Sequence, residues 1–162
     1  MKTSLKVIAC MAALAVLMVV QSASAQGKLE GVWKQVEFSA TAPKAYAVTN
    51  PQPGYIIFAK KHYCTVAVTS EKPRPVLSLE KATDAQKVAA WTDFEAYAGT
   101  YEVKGTTVTF HDEIAKSPEG MKPGSFGSFD FKIEGNTLTL MMKADEAGPA
   151  TNGFKVKLVR IE

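Results

Sequence analysis

Few residues in this 162-residue chain have side chains that do chemistry. The histidines are His62 and His111, and the cysteines are Cys10 and Cys64. His111 sits in Thr107-Val108-Thr109-Phe110-His111-Asp112-Glu113. On a strand, successive side chains point to opposite faces, so His111 shares a face with Thr107, Thr109 and Glu113. If that face turns inward, His111 and Glu113 line a partly polar cavity. An imidazole there orients a ligand or moves a proton near neutral pH. If it turns outward, His111 is simply solvated. His111 is catalytic only if the chain is an enzyme, and no other catalytic residue is assigned. Asp112 and Glu113 are strand neighbours, so they cannot converge on one substrate bond. His62 has no second ligand at zinc-like spacing, so no metal site is read. No Ser-His-Asp order, phosphate loop or CxxC motif stands out, and no cofactor is expected. Tyr55, Tyr63, Tyr97 and Tyr101 complete the candidate ligand-binding set with His111. A tyrosine offers an apolar ring with a hydroxyl tip, which suits a mainly apolar ligand bearing one polar group.

The elements that must position these groups are mostly strands. Period-two alternation bounded by turn residues marks eight of them, at residues 30–38, 54–58, 63–68, 100–103, 106–114, 125–133, 137–143 and 154–161. Lys60-Lys61, Lys104-Gly105 and Glu134-Gly135-Asn136 are expected turns. One segment, residues 83–97, lacks glycine and proline, and Val88, Trp91, Phe94 and Tyr97 recur at helical spacing. It is expected to be a helix capped by Thr83, ended late by Gly99, with its apolar stripe packed on the outside of the strands. Eight antiparallel strands in sequence order close into an up-and-down barrel, which removes exposed edges. A two-sheet sandwich fits the same periodicity.

The chain opens as an address. Lys2 and Lys6 precede an apolar run, Val7 to Val20, which ends in Ser22-Ala23-Ser24-Ala25. This is the pattern of a secretory signal peptide, with cleavage expected after Ala25. The run is shorter than the roughly 20 apolar residues of a membrane span. Val7-Ile8-Ala9-Cys10 resembles a lipobox, but cutting there would leave Met11 to Val20 on the product. The expected organisation is a signal peptide over 1–25 and one domain over 26–162, in the periplasm or secreted, with no stable membrane insertion after cleavage.

The remaining 137 residues are long enough to bury a core without metal or disulfide staples. Without Lys2 and Lys6 the formal charge falls from +3 to +1. Such a balance makes no case for nucleic acid, which wants a basic stripe. Cys64 has no internal partner after cleavage and reads as a small buried apolar residue.

Gly31-Val32-Trp33-Lys34, Gly54-Tyr55-Ile56-Ile57-Phe58, residues 94–103 with their Ala-Tyr-Ala-Gly-Thr-Tyr stretch, and Thr107-Val108-Thr109-Phe110-His111 come in that order. Together they resemble the bacterial and fungal lipocalin-like domain family, over nearly all of 26–162. The resemblance implies an all-β, eight-stranded antiparallel barrel with one outer helix. It implies that Trp33 and Arg160 close the base of the barrel, with guanidinium stacked on indole. A small, mostly apolar ligand follows by analogy of fold. Phe110 stands where the family often has the first of two adjacent histidines, and only His111 remains. Three uses of such a barrel are open: a carrier, a cavity enzyme of isomerase or cyclase type using His111, and a filled barrel that acts as an envelope protein-interaction module.

Overall fold

The computed structural model describes residues 26–78 and 80–162. The leader read over 1–25, with Cys10, lies outside the described residues. A helical turn at 26–29 leads into β1 (Gly31–Ala40), β2 (Tyr46–Val48), β3 (Gly54–Phe58) and β4 (His62–Val68). Helix α1 (Asp84–Thr92) follows, then β5 (Phe94–Lys104) and β6 (Thr107–Ala115). A single 3₁₀ turn (Pro118–Met121) precedes β7 (Gly127–Glu134), β8 (Thr137–Asp145), β9 (Gly148–Pro149) and β10 (Lys155–Arg160).

Eight of these strands form the wall, in the order β1-β3-β4-β5-β6-β7-β8-β10, all antiparallel. Pairing of β10 with both β8 and β1 closes the ring. Closure chooses the barrel over the sandwich and leaves the wall no free edge. The side chains inside are those on alternate positions: Ile56 and Phe58, Val108 and Phe110, Leu138 and Leu140, Val156 and Leu158. β2 pairs with the end of β1, and β9 with the end of β8. Both lie in segments whose composition reads as loop, because three and two residues are too few to show a period.

The two ends of the barrel differ. At one end short turns join β3 to β4, β5 to β6 and β7 to β8. Both ends of the folded chain are there too, and Val32 N–H donates to the Glu162 carbonyl at 3.1 Å. At the other end the long connections gather: 41–53, 69–93, 116–126 and 146–154.

Helix α1 is shorter than its sequence pattern. The Thr83 capping box with Gln86 is present, but the helix stops at Thr92. Phe94 and Tyr97 belong to β5 instead, paired with Val68 and Thr65 of β4. The same residues also carry a period of two, in Glu95, Tyr97, Gly99, Tyr101 and Val103, and sheet pairing on both flanks outweighs the helical alternative. The expected stripe is therefore split. Val88 is 63% exposed and Trp91 58%, and α1 buries no residue. It is tied to the adjoining connections through Arg74, which donates to the Ala90 carbonyl at 2.8 Å and lies 5.3 Å from the ring centre of Phe94 on β5, and through Lys116, which lies 5.6 Å from the Trp91 ring centre. Gly99 does not end the helix. It sits opposite a bulge in β6, where a Cβ would come within 2.0 Å of the His111 carbonyl oxygen.

Candidate ligand-binding cavity

The base of the barrel is sealed first. Trp33 is fully buried, and its indole Nε1 donates to the Leu29 carbonyl at 2.7 Å. The Arg160 guanidinium lies 4.1 Å from the indole centre, with Trp33 and Arg160 paired across β1 and β10. Arg160 also donates to the carbonyls of Lys28 and Glu30. A planar fork stacked on a ring and satisfying two carbonyls tethers the entry segment over the base. Gly31 is required beside it: its φ is +128°, and a Cβ would meet Arg160 Nη1 and the Glu162 carbonyl.

Above the base lies an aromatic floor. Phe58 packs edge-on against Tyr101 at 5.1 Å, and Phe110 meets Tyr63 in a tilted contact at 4.5 Å and Phe129 edge-on at 5.6 Å. The Tyr101 hydroxyl donates to the Ala59 carbonyl at 2.7 Å. Tyr101 is therefore a floor residue with its polar tip used in the fold.

Beyond this floor the barrel is hollow. A cavity of about 640 Å³ opens between the long connections. Its wall is mostly apolar, with Phe38, Ile56, Phe110, Phe129, Leu140 and Phe154 among the residues that line it. Two polar pairs face it. The Tyr63 hydroxyl donates to Asp112 Oδ1. The Tyr97 hydroxyl donates to Glu95 Oε2 at 2.5 Å. Burial pushes the Tyr63 and Tyr97 phenols well above their ordinary range, and the paired carboxylates push the same way. Both hydroxyls stay protonated and act as donors. Burial also raises the Asp112 carboxyl, with nearby Glu146 adding to the effect, against the opposing bond from Tyr63.

The sequence-derived candidates divide accordingly. Tyr63 and Tyr97 line the cavity, and Tyr101 supports its floor. Tyr55 alternates with the buried Gly54 and Ile56 and is 38% exposed on the outer wall. His111 also lies outside. Val108 and Phe110 take the inward positions of β6, so the threonine face with His111 turns out. Its Nε2 is 3.4 Å from Glu102 Oε1 of the neighbouring strand. The inward position of the Phe110-His111 pair thus belongs to phenylalanine, which adds to the floor. Asp112 and Glu95 were missed as cavity residues. The signal was available, since Asp112 follows Val108 and Phe110 at period two. Among the described residues no three His, Cys, Asp or Glu side chains gather as a metal site.

Sealed base, aromatic floor and open mouth define a class, the lipocalin-like barrel. The sequence model of the lipocalin-like domain family matches residues 30–157, and the chain belongs to that family. Comparison with curated proteins and with solved structures finds no match. Among the described residues no helix is long and apolar enough to cross a membrane.

Proposed function

We propose that this protein is exported by its leader and carries a small, mostly apolar molecule in the barrel. The observation that supports this reading best is the cavity of about 640 Å³ with a mostly apolar wall and one open end. Small-molecule pockets occupy roughly 300–1,000 Å³ and present a few placed polar groups on an apolar wall. Burial of apolar area, at about 25 cal/mol per Å², supplies the binding force. Tyr63, Tyr97, Asp112 and Glu95 orient the guest. Export suits the role, because an apolar compound needs a carrier in a water-filled compartment. A hollow barrel weighs against the filled-barrel reading. An enzyme relying on His111 finds that side chain on the outer wall.

The test is native mass spectrometry of the protein from its own host, followed by organic extraction. A reproducible small apolar adduct released on denaturation is expected. A clean apo mass, with no thermal shift across a lipid and metabolite panel, overturns the carrier reading. Amino-terminal sequencing of the same sample checks the leader, with Gln26 expected first.

A further inference from the structure

The charge of the cavity lining is one-sided, although the whole chain has a formal charge of +3. Glu95, Asp112, Asp145 and Glu146 line the cavity, and among the described residues no lysine, arginine or histidine does. The neighbouring cations are already engaged. Lys116 is 3.5 Å from Glu95 Oε1 and reaches the Thr92 carbonyl at 3.4 Å. Lys122 is 3.5 Å from Glu119 and also lends some positive charge to Glu146. His111 is turned outward.

The acids are placed rather than scattered. Asp112 lies on the cavity wall next to the aromatic ring of Phe110. Its Oδ1 is held by the Tyr63 hydroxyl, while Oδ2 accepts no hydrogen bond from the described residues. Oδ2 faces Gly120, where a Cβ would come within 3.0 Å of it. A side chain there would press on this oxygen. The apolar volume fixes where the body of a guest goes, and this oxygen marks where its polar group meets the wall. A carboxylate guest would meet carboxylates, which is costly at low dielectric, and the cation beside Glu95, Lys116, is held by Glu95 and the Thr92 carbonyl. A protonated amine would pair with the unused Oδ2 of Asp112 and pass across the Tyr63 and Tyr97 rings, whose faces attract cations, while Glu95 is already paired with Lys116 and Tyr97.

Resting on the carrier reading above, we propose that the cavity selects molecules whose apolar body carries a protonated amine, and rejects those carrying a carboxylate. The experiment is calorimetric titration of the purified protein at pH 7 with decylamine, decanol and decanoate, which share a body and differ in the head. The amine is expected to bind at least about tenfold more tightly than decanoate, with decanol between them. In Asp112→Asn the advantage of the amine over decanol is expected to disappear, with the barrel shown intact by circular dichroism. Decanoate binding as tightly as decylamine overturns the charge selection and leaves the carrier reading standing. An amine preference unchanged in Asp112→Asn overturns the assignment to Asp112. No binding by any of the three, with an intact fold, overturns both readings.

Discussion

At the scale of the residue, two side chains show how one barrel serves stability and a site at opposite ends. Trp33 is the largest fully buried side chain, and all its polar capacity is used. Truncation to alanine is expected to cost about 3–5 kcal/mol in denaturant unfolding, since it empties the base and frees the Leu29 carbonyl. Asp112 is the converse case. Its carboxyl is held above its ordinary value by burial, so the fold favours the protonated form. Its contribution to stability is therefore full at acid pH and is lost as pH rises through the folded value. Tyr63, Glu146 and His111 are the groups that bear on this titration. Asp112→Asn is expected to raise Tm at pH 7, because Tyr63 can still donate to the amide oxygen. The gain should vanish below the unfolded aspartate value, roughly pH 3.9. Paired melts at pH 7 and pH 3 check this. A variant that is more stable yet loses amine preference would mark a site that trades stability for binding.

At the scale of the element, β5 and α1 show which local pattern prevails. Gly99 lets β5 and β6 approach at their bulge. A methyl group there meets backbone, which cannot swing aside like a side chain. Gly99→Ala is expected to destabilise by at least about 2 kcal/mol, measured by denaturant midpoint. Helix α1 is the opposite. Thr83→Ala removes the cap, which is worth about 1 kcal/mol to a helix. Since α1 buries no residue, the barrel melt is expected to shift little, while amide exchange across 84–92 accelerates. A large drop in barrel Tm in this variant would show that α1 is part of the cooperative unit.

At the scale of the whole molecule, the ring of β1, β3 to β8 and β10 divides the work. Short turns, Trp33 and Arg160 seal one end, and the long connections frame the mouth at the other. Such a hollow barrel gains stability when filled, by mass action with a ligand that binds only the folded state. Thr65 lines the cavity on β4 between the buried Tyr63 and Ala67. Thr65→Trp puts an indole into the space a guest needs. Binding of decylamine, read by calorimetry, is expected to be lost, with the fold retained by circular dichroism. Retained binding would place the guest elsewhere than the cavity.

The sequence by itself determined the class of this protein. Alternation of apolar and polar residues marked the eight strands of the wall, and turn residues marked three of their connections. The order of Gly31-Val32-Trp33, the Ala-Tyr-Ala-Gly-Thr-Tyr stretch and Arg160 pointed to the family and to the pair that seals its base. These features are local, or depend only on chain order, so they survive without coordinates. Tertiary structure decided the rest. Periodicity separates two faces of a strand but does not say which one turns inward. That choice placed Phe110 and Asp112 inside, and put His111 and Tyr55 on the outer wall. Residues 94–97 carried both a helical and a strand period, and pairing with β4 settled the matter. The volume of the cavity and the sign of its charge came last, because both arise only when residues from distant strands are brought together around one space.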